Sequence, residues 1–341
     1  METLRFAIIG WGYWGPRLAR NLESLPYASV TLIVDSNPAC QFSPSLRHHP
    51  WARFTTSVEE AYRSEVDAIV VATPVSTHYA FARAALEHDK HVLVEKPLTT
   101  SVAEAEELVS LAQQRQRILM VGHTFEYSPA VNELRKLIRN NDLGKIYCFE
   151  AIRVNLGLFR QDTNVIWDLA PHDISILLYL LDEKPTEVRV QAHAHLQPHI
   201  PDIAHLDLTF ASGMTAHVHV SWLHPCKIRR VTIIGDQRMA VYDDTNPAEM
   251  LKIYNKGADV HADPVISYRN GEITIPHIDW IEPLRLECED FANAIRTGTQ
   301  PRAHGLVGLE VVRILAAAQQ ELEHQTRQEA RLISQPASFA R

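Results

Sequence analysis

Lys96, Asp168 and His172 are the residues whose types and settings in this chain suit proton transfer at a hydroxyl or carbonyl carbon. Lys96 stands in V-L-V-E-K-P-L, at the carboxyl end of an apolar strand, where open parallel sheets place their ligands. Pro97 keeps Lys96 out of helical geometry, and an ammonium group held there can stabilise negative charge developing on a substrate oxygen. An exposed lysine in a loop is the alternative reading. Asp168 and His172 lie four apart in W-D-L-A-P-H-D. That spacing puts both on one helical face, where the carboxylate can orient the imidazole and favour its protonated form. Pro171 belongs in the first turn of a helix with Asp168 as a cap, so a capping aspartate and a histidine packed on its own helix would account for the same residues. The stretch 174–181 is apolar nearly all round, which predicts a buried helix. Arg153, Asn155 and Arg160 are polar groups suited to a polyhydroxylated or anionic substrate; ordinary surface ion pairing explains them equally well.

A second constellation points to a dinucleotide. Residues 4–15 read L-R-F-A-I-I-G-W-G-Y-W-G, an apolar strand running into Gly10, Gly12 and Gly15, with Pro16 opening a helix. The first glycine permits the tight turn, the second lets the backbone approach a pyrophosphate, and the third lets helix and strand pack closely. Asp35 follows at the end of a second apolar strand, placed to accept hydrogen bonds from both adenosine ribose hydroxyls and to repel a 2′-phosphate. After Asp35 no arginine or lysine follows until Arg47, which favours NAD over NADP.

The scaffold that must hold these groups is long and mixed. A chain of 341 residues predicts two domains. With 46% hydrophobic and 22% charged residues it has the composition of a globular protein, and no apolar run approaches the roughly 20 residues of a membrane helix. The first strand starts so early that a signal peptide has no room, so a cytoplasmic location is expected. Cys40, Cys148, Cys226 and Cys288 lie too far apart for local metal or redox spacing. A net charge of −8 without a basic block argues against a nucleic-acid surface.

Strands expected at 6–9, 30–34, 68–72, 91–94 and 118–121 alternate with helices, the signature of a doubly wound parallel sheet over residues 1–122. Ser57 with Glu60 and Ser101 with Glu104 fit capping boxes. Residues 123–341 are expected to form an α+β domain with a largely antiparallel sheet, its last helix packing back on the first domain. Period-two alternation at 188–195, 205–210 and 215–222 puts His193, His195, His205, His217 and His219 on a polar face. These histidines lack a carboxylate or thiol cluster, so no metal site is expected. Residues 255–277, with Gly257, Pro264, Gly271 and Pro276, read as irregular.

Together these segments resemble the sugar and cyclitol oxidoreductase family that includes glucose-fructose oxidoreductase and inositol 2-dehydrogenase. The likeness spans nearly the whole chain through the G-W-G-Y-W-G turn, A-T-P-V-S-T-H-Y at 72–79, E-K-P at 95–97 and D-x-x-x-H at 168–172. It implies Lys96, Asp168 and His172 as the catalytic group, His172 as acid/base and Lys96 on the reacting oxygen. It further implies NAD held by Gly10, Gly12, Tyr13, Trp14, Gly15, Asp35, Thr73, Pro74, His78, Glu95 and Lys96. Tyr127, Arg153, Asn155, Arg160 and Trp167 join Lys96 and His172 as substrate-binding candidates. The resemblance implies hydride transfer at a secondary alcohol carbon, C3 favoured, of a sugar or nucleotide sugar, with a cyclitol dehydrogenase or a non-catalytic dinucleotide-binding regulator as alternatives. It also implies a homodimer or homotetramer built through the open sheet face, without membrane or nucleic-acid partners. Val165-Ile166-Trp167 and Pro171 depart from the glycine-rich wording of many relatives.

Overall fold

A computed structural model of the chain describes residues 3–260 and 265–334. The elements run β1 (Leu4–Ile9), α1 (Gly15–Glu23), β2 (Ala28–Val34), β3 (Arg53–Thr55), α2 (Val58–Arg63), β4 (Ala68–Val71), α3 (His78–Glu87), β5 (His91–Glu95), α4 (Val102–Gln114), β6 (Leu119–Gly122) and α5 (Pro129–Arg139). They continue with β7 (Ile146–Val154), α6 (Val165–Leu181), β8 (Pro185–His193), β9 (Ile203–Phe210), β10 (Thr215–Ser221), β11 (Ile228–Gly235), β12 (Met239–Asp243), β13 (Leu251–Val260), β14 (Ile266–Thr274), α7 (Pro283–Thr297) and α8 (Gly305–Ser334). Contacts divide them into two compact units, one gathering the chain up to Asn132 with Ile278–Arg313, the other Glu133–His277 and the chain from Ile314 on. The first unit therefore runs past the boundary expected at 122 and recruits α7 and the start of α8.

The first unit holds a parallel sheet in the order β3-β2-β1-β4-β5-β6. Its strand order reverses between β1 and β4, the switch point at which doubly wound sheets bind ligands. Central strands are buried on both faces: Phe6, Ile8, Val70, Leu93 and Met120 are essentially inaccessible. From α7, Leu284, Cys288 and Phe291 complete this core, with the Phe291 ring 6.1 Å from Phe6. The three-residue β3 is too short to show as a hydrophobic run, and it escaped the sequence reading.

The second unit holds an eight-stranded sheet in the order β14-β13-β12-β11-β7-β10-β9-β8. All pairs are antiparallel except β7 with β10. The expected alternation is present: Ala204, Leu206, Leu208 and Phe210 of β9 and Ala216, Val218 and Val220 of β10 are buried, and α6 packs on β7, β9 and β10. Residues 255–277 are not irregular as expected. Most of the segment forms the hairpin of β13 and β14 at the sheet edge; exposed Ile266, Tyr268 and Ile273 blur the alternation that would have marked it. Pro264 lies outside the described residues.

Neither capping box forms. Ser57 and Ser101 make no side-chain cap bond. Glu60 instead accepts the Thr55 hydroxyl at 2.5 Å and pairs with Arg53, because β3 brings both to the start of α2. No helix among the described residues is long and apolar enough to cross a membrane.

Candidate active site

In the first unit the glycine turn follows β1 at the switch point. Gly10 has φ +100°, and a Cβ there would lie 2.5 Å from the Ala72 carbonyl oxygen; one on Gly15 would lie 2.1 Å from that of Gly10. Both glycines are thus required by the protein's own packing. Gly12 differs: a Cβ on it would meet no protein atom within 4 Å, which leaves that side of the turn open to a group from outside. Trp11, between the glycines, is buried and donates its indole N–H to the Ser43 and Ser45 hydroxyls at 3.1 and 3.0 Å. Pro16 stands at the first positions of α1, which has no side-chain cap and no acidic residue in its first turn, so its dipole faces outward unopposed. Tyr13 is exposed beneath the Arg17 guanidinium, 3.7 Å from the ring centre, and Trp14 meets it edge-on.

Asp35 closes the other side. Its Oδ2 accepts the Trp11 amide at 2.7 Å and its Oδ1 the Asn37 amide at 2.8 Å. These residues fit a dinucleotide: an open glycine, a free helix start and a fixed carboxylate at the end of β2.

Further along the same strand ends, His78 is buried with Nδ1 2.8 Å from the Pro97 carbonyl and Nε2 2.9 Å from that of Thr73. It ties the turn after β4 to the Lys96–Pro97 turn, whose peptide is cis. Thr73 accepts the Thr77 hydroxyl at 2.7 Å, and Pro74 is exposed beside it. Half-buried Lys96 follows Glu95, whose Oε2 accepts the Lys96 amide at 3.3 Å. Burial pushes the Glu95 carboxyl up to about 7 against the pull of Lys96. His123, also buried, is pushed down to about 3 by burial and by Lys96. Burial, reinforced by Glu95 and opposed by Thr124, holds Glu287 well above the usual carboxylate range. Lys96 therefore stands before buried groups that hold their protons differently from groups in water.

The Tyr127 hydroxyl is committed within the first unit. The residue is buried, donates to Asp290 Oδ2 at 2.7 Å and accepts the Ala303 amide at 3.3 Å, so its hydroxyl joins α7 to the sheet.

In the second unit α6 begins about one turn earlier than the expected Asp168 cap would place it. Asn164 caps it, its Oδ1 accepting the amides of Ile166 and Trp167 at 3.0 and 3.2 Å, and Pro171 lies inside the helix. Asp168 is thereby released from capping. Its Oδ2 accepts the Trp222 indole N–H at 2.9 Å and its Oδ1 lies 3.8 Å from Arg160 Nη1. His172, half-buried, comes one turn later on the same face. Arg160 also grips Asp162 through Nε and Nη2 at 3.0 and 2.9 Å. Asn155 donates its amide to the Ser221 carbonyl at 3.1 Å, and Trp167 is buried.

Arg153 is not a surface group. It is 3% exposed and makes a bidentate pair with Asp173, Nε to Oδ2 at 2.8 Å and Nη2 to Oδ1 at 2.9 Å. Asp173 carries no spacing signal because it sits in the middle of α6, just before the apolar stretch 174–181, and Trp222 carries none because one tryptophan at a strand end reads as core.

A family model described as an oxidoreductase family with an NAD-binding Rossmann fold matches residues 4–123, and the GFO/IDH/MocA C-terminal domain matches 131–241. The chain belongs to the Gfo/Idh/MocA oxidoreductase family. It is 31% identical over 94% of its length to UDP-N-acetylglucosamine 3-dehydrogenase of Acidithiobacillus ferrooxidans, covering 96% of that protein. A solved structure of that enzyme superposes with a TM-score of 0.78 at 28% identity, covering 94% of this chain and 98% of the other. The scyllo-inositol 2-dehydrogenase of Bacillus subtilis is 25% identical over 88% of each chain. The resemblance drawn from E-K-P and D-x-x-x-H is thus borne out at the level of family and enzyme class.

Among the described residues no group of three or more histidine, cysteine, aspartate or glutamate side chains is arranged to hold a metal ion. On the sheet face His205 stacks on His219 with centroids 4.2 Å apart, and His217 lies 2.5 Å from Asp207.

Proposed function

We propose that this protein is an NAD-dependent dehydrogenase or ketoreductase acting at a secondary alcohol carbon, C3 favoured, of an N-acetylhexosamine carried on a nucleotide. The observation that carries this reading is near full-length similarity to a UDP-N-acetylglucosamine 3-dehydrogenase, in a chain that carries Lys96 in E-K-P and Asp168 and His172 in D-x-x-x-H. NAD, when bound, supplies the two-electron acceptor for the hydride. Gly10, Gly12 and Gly15 hold its pyrophosphate, and Asp35 takes the adenosine ribose hydroxyls. Tyr13, Trp14, Thr73, Pro74 and Glu95 line its path, while His78 braces that path from behind. Lys96 steadies the reacting oxygen, and His172, oriented by Asp168, takes the hydroxyl proton in oxidation and returns it in reduction. Asn155, Arg160 and Trp167 contact the sugar. Arg153 and Tyr127 are set aside, since their polar groups are committed inside their own units.

A cyclitol substrate is the second reading, favoured by the scyllo-inositol 2-dehydrogenase similarity. One screen separates the two: purified protein with NAD or NADP against UDP-N-acetylglucosamine, other UDP-sugars, free sugars and inositols, followed at the nicotinamide absorbance. Turnover of UDP-N-acetylglucosamine is expected; turnover of inositols alone would transfer the assignment. The open sheet face, with its rows of exposed side chains, is proposed to meet a second copy of the chain, and light scattering of the purified protein tests that.

A further inference from the structure

We propose that Trp222 is a positioning residue that fixes the Asp168 carboxylate and, through it, the acid/base His172. This rests on the assignment of His172 above.

Trp222 follows β10 and is 1% exposed, yet its one polar atom does not point into the core at random: it donates to Asp168 Oδ2 at 2.9 Å. An indole N–H donates only, never accepts, and does not titrate. It therefore holds an ionised carboxylate in one rotamer without adding a charge. The other oxygen, Oδ1, faces Arg160 Nη1 at 3.8 Å. The two oxygens of Asp168 are thus addressed separately, by a neutral donor from the sheet and by a cation from the loop before α6. A carboxylate addressed on both sides is restrained to one rotamer, and in the proposed dyad that rotamer sets the orientation of His172 one turn along the helix.

The ring is itself clamped. Its backbone N–H donates to the Asp202 carbonyl at 2.9 Å, and its carbonyl accepts the Gly157 amide at 2.8 Å. Phe159 meets the ring edge-on with centroids 6.2 Å apart. A Cβ on Gly157 would lie 3.1 Å from the indole Cδ1, so only glycine lets this loop lie against the ring without displacing it. The loop then continues to Arg160, whose carbonyl accepts Gln197 Nε2 at 3.1 Å. Leu156 and Leu158, the neighbours of Gly157, are exposed. The same segment that supports Trp222 therefore presents apolar side chains outward, and whatever engages that loop also bears on Asp168.

The test reads His172 directly, in the full-length protein, by NMR titration of its imidazole, assigned through its loss in His172→Gln. Asp168→Asn should lower the His172 pKa by about one pH unit, as expected for loss of a neighbouring carboxylate. Trp222→Phe, which keeps an aromatic ring and deletes the N–H, should lower it by about half as much. The double variant should match Asp168→Asn alone, because a positioning residue has nothing left to position. Arg160 and Asp162 are the other charged groups beside Asp168 and remain unchanged throughout. Should Trp222→Phe not fold, Gly157→Ala displaces the ring without removing it and should move the titration the same way by less. The indole N–H proton of Trp222, observed in 15N-labelled protein, should move upfield in Asp168→Asn relative to the unmodified chain. Three outcomes overturn the proposal. A His172 titration that Trp222→Phe leaves in place while Asp168→Asn moves it removes the positioning role alone. Additive shifts in the double variant show that Trp222 acts by another route. No shift from Asp168→Asn itself overturns the dyad, and the acid/base reading with it.

Discussion

The carboxylate of Asp35 and the backbone amide of Trp11 are joined across the switch point at 2.7 Å, so the residue between the first two glycines is tied to the end of β2. The bond leaves lone pairs on both oxygens while removing the freedom of the side chain to turn away. An acceptor held in that way suits a ribose diol and opposes a phosphate in its place. NAD is expected to bind at least about tenfold more tightly than NADP, a difference of about 1.4 kcal/mol. Asp35→Ser should narrow the gap and also loosen the Trp11 turn. Calorimetric titration of the two cofactors measures both; equal affinities in the unmodified chain would refute the assignment.

Lys96→Ala and His172→Ala should each lower turnover by roughly 10²-fold while leaving NAD affinity nearly unchanged. Asp168→Asn should be milder, because the acid/base survives it with altered orientation and charge. Stopped-flow single turnovers, with cofactor affinity measured in parallel, separate chemistry from binding. Near-normal turnover in His172→Ala would move the proton-transfer role elsewhere.

Much of this arrangement was legible because it is written in local patterns. The strand leading into Gly10, the carboxylate twenty residues after Gly15 and the lysine before Pro97 are each specified within a few residues, and the doubly wound order follows from strand and helix alternation. What escaped is what only the fold brings together. Asn164 rather than Asp168 caps α6, since Pro171, tolerated inside the helix, hid where it begins. Arg153 looked like a ligand group because its partner Asp173 is twenty positions away. Tyr127 finds Asp290 across 163 residues of sequence, and Trp222 finds Asp168 across 54. Polar pairs of that separation leave no spacing signal, and the helix α7 that completes the first unit's core arrives from the far end of the chain.

The buried pair of Arg153 and Asp173 makes a distinct forecast. Both side chains are nearly inaccessible, and removing one partner strands a charge in the interior at a cost of about 3 to 5 kcal/mol. Arg153→Leu should therefore destabilise the second unit severely, whereas Arg153→Leu with Asp173→Leu should recover most of the loss. Urea unfolding of the unmodified chain and the two variants distinguishes packing from ligand binding. If the double variant is stable but its substrate KM has risen more than about tenfold, Arg153 belongs to the substrate site after all.

Glu95 and His123 give stability a pH dependence with two opposed arms. Glu95 holds its proton up to about 7 when folded, against 4.5 in the unfolded chain; between those values the unfolded state has released the proton and the folded state has not, so stability falls as pH rises. His123 stays neutral down to about 3 when folded but takes a proton near 6.5 when unfolded, so stability falls as pH drops from 6.5 towards 3. Lys96 faces both groups and Glu287 faces Glu95. Glu95→Gln should lessen the loss between pH 4.5 and 7, with Glu287 keeping a loss of the same sign, and raise the stability of the first unit at pH 7.5 by up to about 3 kcal/mol. His123→Asn should flatten the acid arm and leave the neutral one in place. Amide hydrogen exchange at Leu93 in β5 and Met120 in β6, corrected for intrinsic rates, reads the opening free energy of this unit across the range. A Glu95→Gln profile parallel to that of the unmodified chain from pH 4.5 to 7 would mean that the folded protein carries Glu95 ionised, with Lys96 outweighing the burial.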